Sequence, residues 1–167
     1  MRLELSGQQA VAAPIDAVWQ RLMDPQFVAS CAPGVESVEP VDATHYLVIA
    51  GLGVGSIKLR FTLHVELRDL APPTRATMAV QGDAPGSAAR AESSATLTSL
   101  TADSTRLDWS VAADVHGTIA NAGARLLGGV VSRLTGAFWK KFAAQAAGGA
   151  KSRKAKKKKS KPSRRRD

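Results

Sequence analysis

The hydrophobic period of this chain changes lastingly at His116-Gly117. Before that point apolar residues recur at every second position, the spacing of strands with one buried face; after it they recur three or four apart, the spacing of a helix. The clearest stretch is Ile57 to Leu67. Its odd positions (Ile57, Leu59, Phe61, Leu63, Val65, Leu67) are all apolar and its even positions (Lys58, Arg60, Thr62, His64, Glu66) all polar. Leu107, Trp109, Val111, Ala113 and Val115 alternate in the same way with Asp108, Ser110, Ala112, Asp114 and His116, and residues 2 to 11 do so at the amino terminus. Further strands are predicted over Val35–Val41, His45–Gly51, Thr74–Gln81 and Ala88–Leu100. The turn signals between them are Pro40-Val41-Asp42, Pro72-Pro73, Asp83 to Gly86 and Thr101 to Ser104. Connections this short make neighbouring strands antiparallel.

Two short helices interrupt the pattern after the first strand. Pro14 stands at a first helical position before Ile15, Val18, Trp19 and Leu22, and Asp24-Pro25 repeats the start signal for a helix that must end before Pro33-Gly34. Beyond Gly117, Ile119, Gly123, Leu126, Leu127, Val130, Leu134, Phe138 and Phe142 predict one helix of nearly thirty residues that stops at Gly148-Gly149. Gly128, Gly129 and Gly136 inside it each cost about 1 kcal/mol of helix propensity. Close packing, or room for something else, is the expected compensation.

Charge divides the 167 residues unevenly. Residues 151 to 167 hold eleven of the 23 Lys and Arg and one of the 14 acids, so residues 1 to 150 are nearly neutral and the net +9 belongs to the tail. The expected organisation is one domain, 1–147, and a disordered Lys/Arg-rich tail, 148–167. The only cysteine, Cys31, excludes an intramolecular disulfide and a four-cysteine zinc site, and fits a reducing cytoplasm. The amino terminus lacks the continuous apolar stretch of a signal peptide. The longest uncharged run, Ala43 to Ile57, contains three glycines and falls short of the roughly 18 apolar residues of a membrane span. Any membrane contact is expected to be peripheral.

The order strand, two small helices, six strands and a long helix resembles the helix-grip fold of the START and polyketide-cyclase-like (SRPBCC) superfamily. The fold so implied is α+β, with a curved antiparallel seven-stranded sheet wrapped around a long carboxy-terminal helix. Pro14 through Trp19, Leu22, Asp24-Pro25, the Cys31 to Gly34 turn, Gly53 to Gly55, Thr105 to Leu107 and Val115 through Leu127 are similar to the carbon monoxide dehydrogenase G-subunit family. The resemblance covers residues 3 to about 145. Ala32 stands where members often carry a larger aliphatic residue, and Phe138-Trp139 where two phenylalanines are common. The resemblance implies an accessory protein of molybdenum hydroxylases of the carbon monoxide dehydrogenase type, which recruits the enzyme to the inner face of the membrane and couples it to the quinone pool.

The residues themselves offer little catalytic chemistry. None of the eleven apolar-row positions in the strands 57–67 and 107–115 is ionisable, and general acid or base work needs a titratable group within reach of substrate. His64 and His116 share the polar rows, and His45 is assigned to a turn. The three histidines are too far apart for a metal-ligand motif, and Cys31 reads as a buried small residue rather than a reactive thiol. Gly51-Leu-Gly-Val-Gly55 is followed by a strand, so it lacks the helix terminus of a phosphate loop. No metal and no catalytic residue is expected.

The chain has 29 alanines and only eight aromatic residues, so its core is expected to be built from small side chains. A curved sheet closing on one helix over small side chains leaves a cavity, and an apolar guest, a lipid or a quinone, is expected in it. The candidate wall is Leu59, Phe61, Leu63, Met78, Leu97, Trp109, Val111, Leu127, Val130, Leu134 and Phe138. The candidate anion- or membrane-binding residues are Lys151, Arg153, Lys154, Lys156, Lys157, Lys158, Lys159, Lys161, Arg164, Arg165 and Arg166. Two alternatives stay open at this point: a cyclase-like cavity enzyme, and a nucleic-acid-associated protein acting through the tail.

Overall fold

Turns of two to four residues return each strand after Gly34 onto its predecessor. The computed structural model describes residues 1–147 in full and residues 148–165 only as the end of a helix. In it β1 (Arg2–Val11) leads through α1 (Ile15–Leu22) and α2 (Pro25–Cys31) into a meander. The meander comprises β2 (Val35–Pro40), β3 (His45–Val54), β4 (Ile57–Ala71), β5 (Arg75–Ala84), β6 (Ser87–Thr101) and β7 (Ser104–Gly117). The seven strands form one antiparallel sheet in the order β1-β7-β6-β5-β4-β3-β2. The two helices carry the chain from β1 at one edge to β2 at the other.

Local chemistry accounts for the boundaries. The Asp24 carboxylate accepts from the backbone N–H groups of Gln26 and Phe27, capping α2 directly before Pro25. Gly55-Ser56 makes the tight turn between β3 and β4, with Gly55 at φ +61°, so the glycine-rich run is strand and hairpin. His45, expected in a turn, is the first residue of β3.

Periodicity starts the last helix at Ile119, whereas the structure places a single 3₁₀ turn, Thr118–Ala122, before α3 (Ala124–Arg165). The break is Gly123, at φ +92°, and Ser87 Oγ accepts from the N–H of Ile119 to fix the turn. The range of α3 runs past the stop expected at Gly148-Gly149, a pair surrounded by the strong helix formers alanine and lysine. The tail as a separate segment lies outside the fully described residues.

Two packed clusters hold α3 to the sheet. Around its start, Leu127 and Val130 meet Val54, Phe61, Val115 and Ile119. Further along, Trp139, Phe142, Ala143 and Ala146 meet Val11, Val18, Cys31, Ala95, Leu97 and Leu107. Fully burying a side chain such as Leu107 or Phe142 contributes about 1.5–3 kcal/mol. Thr105 is also fully buried, and its hydroxyl donates to the carbonyl of Ala13 at 2.8 Å, tying β7 to the link between β1 and α1. Between the clusters, α3 is not packed to the sheet in the same way. That interval is the site described next.

Candidate ligand-binding site

A cavity of about 370 Å³ lies between the two clusters. Its sheet wall comes from the inward rows of β4 to β7: Leu67, Ala76, Met78, Val80, Ala91, Ser93, Ala95 and Val111. Leu134, Thr135, Phe138 and Trp139 of α3 face them, and Leu22, Met23, Val28, Ala32 and Pro33 close one side. The space has a sequence cause. The inward row of β6 reads Ala89, Ala91, Ser93, Ala95, and Ala95 pairs with Ala76 on β5, so this part of the sheet presents short side chains to α3 and leaves room between them.

Of the eleven expected wall residues, Met78, Val111, Leu134 and Phe138 line this cavity. Phe61, Leu127 and Val130 are buried in the cluster at the start of α3, with Leu59 and Leu63 packed against it. Leu97 is buried in the other cluster, and Trp109 packs beside it, stacked on Trp139 at 6.1 Å between ring centres. Large apolar residues fill the grip points, and small ones make the hollow. The residues missed by the sequence reading include Ala76, Ala91, Ser93 and Ala95, whose signal is the run of small inward residues on β5 and β6, together with Leu67, Thr77, Val80, Thr135, Trp139 and the helical side walls, which strand alternation cannot show.

The cavity lining is almost wholly apolar, and among the described residues no ionisable side chain belongs to it. Titratable clusters sit on the outer face instead. His45 Nδ1 lies 2.9 Å from Asp42 Oδ1, while Glu66 is 3.1 Å from Arg68. The Thr44 N–H, and then His45, hold the Asp42 carboxyl below the usual carboxylate range. Hydrogen bonds from Arg68 and Arg60 do the same for Glu66 and Glu36. His64 and His116 are exposed. Cys31 is buried at the end of α2, where desolvation raises its thiol pKa and so disfavours the thiolate. No group of three or more potential ligating side chains capable of holding a metal occurs among the described residues.

The glycines inside α3 do not serve close packing. A Cβ at Gly128, Gly129 or Gly136 would meet nothing within 4 Å, and nothing in the structure explains all three. The exposed face of α3 carries Arg125, Arg133, Lys140 and Lys141, and residues 124 to 147 include no acid. No helix of the described residues is long and apolar enough to cross a membrane.

A seven-stranded antiparallel sheet that grips one long helix around an apolar hollow defines a START-like helix-grip protein. Solved structures agree. A conserved protein of Geobacillus kaustophilus superposes with a TM-score of 0.80 at 29% identity, covering 87% of this chain and 95% of that one. The Zhui aromatase/cyclase of Streptomyces sp. R1128 gives 0.66 at 22%, covering 87% and 94%, and a START superfamily protein of Mycobacterium smegmatis gives 0.66 at 13%, covering 86% and 96%. Comparison with curated proteins returned no match. The chain belongs to the carbon monoxide dehydrogenase G-subunit (CoxG) family, whose model matches residues 7–147.

Proposed function

We propose that this protein is a non-catalytic carrier and adaptor: it holds an apolar ligand, a lipid or a quinone, in the cavity between its two core clusters and brings a molybdenum hydroxylase of the carbon monoxide dehydrogenase type to the membrane. The observation that carries the first half is the hollow itself, apolar and of a size within the usual 300–1,000 Å³ of small-molecule sites. Its volume is at the small end of that range. A ring system or part of one chain fits, and a long tail would extend beyond the hollow. The second half rests on family membership and on charge, since the basic run from Lys151 follows in sequence on residues 124 to 147, which include no acid.

The cyclase fold-relative does not make this chain a cyclase. At 22% identity the likeness concerns the fold, and proton transfer inside the cavity would need a titratable group that its lining lacks. The test of the carrier reading is organic extraction of the purified full chain followed by mass spectrometry. A stoichiometric lipid-soluble quinone or acyl species is expected. Absence of any such species, with a crystal structure showing the hollow filled by side chains, overturns the reading.

A further inference from the structure

Three hydroxyl residues, Thr77, Ser93 and Thr135, belong to the otherwise apolar lining. Ser93 sits midway along the inward row of β6, opposite Met78 on β5 and Val111 on β7, and Thr135 lines the same cavity from α3. Thr77, which is buried and also borders the cavity, pairs with Arg68 and Ser94, so strand alternation turns its side chain away from the inward row that carries Ser93. Ser94 and Ser110 on the outer face satisfy each other at 2.8 Å. Ser93 and Thr135 have no such partner among the described residues, yet no buried polar side-chain atom is sealed off unpaired. Both residues line the cavity, and neither hydroxyl is sealed away from a guest or solvent.

We propose that Ser93 and Thr135 select among apolar guests, favouring those that carry an uncharged carbonyl or hydroxyl group and disfavouring those that carry a carboxylate. This rests on the reading of the cavity as a ligand site. A hydroxyl can donate to a carbonyl oxygen or accept from an alcohol. A pure hydrocarbon guest would leave both hydroxyls without partners, at the cost of their lost hydration. A carboxylate would enter a low-dielectric space with no cation in its wall, and burying an unpaired charge costs far more than two neutral hydrogen bonds return. The selected class is thus a neutral ketone, quinone, ester or alcohol with an apolar body; a free fatty acid is excluded.

The experiment compares three probes that share one ring system: methyl naphthyl ketone, ethylnaphthalene and naphthoate. Each is titrated into the delipidated full chain above pH 7 and followed by equilibrium dialysis. The unaltered protein is expected to bind the ketone about fivefold more tightly than the hydrocarbon, the worth of about one neutral hydrogen bond, and naphthoate least. In Ser93→Ala/Thr135→Val the ketone preference is expected to vanish while ethylnaphthalene binds at least as well, which also shows that the variant is folded. An unchanged ketone-to-hydrocarbon ratio in the variant, or naphthoate binding tightest, overturns the selectivity and leaves the cavity a ligand site. Binding of none of the three by the unaltered protein overturns the carrier reading and this inference with it.

Discussion

Gly7 lies in the inward row of β1, and the six-membered ring of Trp109 occupies the space where its Cβ would be. A Cβ built there stands 2.6 Å from Trp109 Cζ2. The missing side chain lets the indole lie flat on β1 and stack on Trp139. Alternation alone places Gly7 in that row but gives it no role, because close approach between strands is invisible in one sequence. Gly7→Ala is expected to destabilise the fold by about 1–3 kcal/mol, the usual cost of overpacking. Urea unfolding monitored by tryptophan fluorescence reads it, and an unchanged midpoint would mean the indole moves aside freely.

Acid sensitivity belongs to the residue scale too. Glu36, Asp42 and Glu66 all titrate below their ordinary values in the folded chain. A depressed carboxyl pKa contributes stability that is present above the unfolded value of about 4 and lost as pH falls through the folded one. The unfolding midpoint should therefore hold steady from neutrality to about pH 5 and fall below it. In Glu36→Gln, which removes the Arg60 pair, thermal scans across that window should show a shallower fall. The sign would be wrong if stability rose on acidification.

At the scale of elements, strand order, the two short helices and the long helix were all legible, because each rests on a local signal: period two, an Asp-Pro start, a change to period 3.6. The 3₁₀ turn before α3 was not, since Ile119 keeps helical phase with Leu126 while the backbone breaks at Gly123. The cavity was half legible. Its α3 residues Leu134 and Phe138 followed from helical spacing, but its β6 wall is defined by what alanine omits, and searching for large apolar residues finds the grip points instead. Ala91→Leu tests this: the longer side chain should fill the hollow and abolish co-purification of an apolar ligand, with the thermal midpoint kept or raised. A midpoint lowered by more than a few degrees would show that the space at Ala91 is already packed. The α2 cap also belongs at this scale. Asp24→Ala leaves the N–H groups of Gln26 and Phe27 unbonded and should cost about 1 kcal/mol in denaturant unfolding. An equal stability would mean that water replaces the carboxylate without loss.

For the whole molecule, the proposed adaptor role turns on how a nearly neutral body would reach an anionic surface. Residues 1 to 150 have thirteen acids against twelve Lys and Arg, so no long-range attraction arises from their sum. The exposed cations of α3 give one face a local bias, but exposed charges act over only about 8–10 Å at physiological salt. The eleven basic residues from Lys151 on change this balance, at about 1 kcal/mol for each that reaches an anionic leaflet. The family match ends at residue 147, before they begin. Removing residues 151 to 167 should therefore leave the unfolding midpoint and the extracted ligand unchanged, while sedimentation with phosphatidylglycerol vesicles is lost. Full-length protein should sediment with those vesicles, not with phosphatidylcholine alone, and should be released as salt is raised well above about 0.15 M. Sedimentation of the truncated chain at full strength would assign membrane contact to the face of α3 instead. A full-length chain that binds duplex DNA but neither kind of vesicle would move the tail from membrane adaptor to nucleic-acid contact. The cavity, separate from the tail in sequence and in charge, would be untouched by either result.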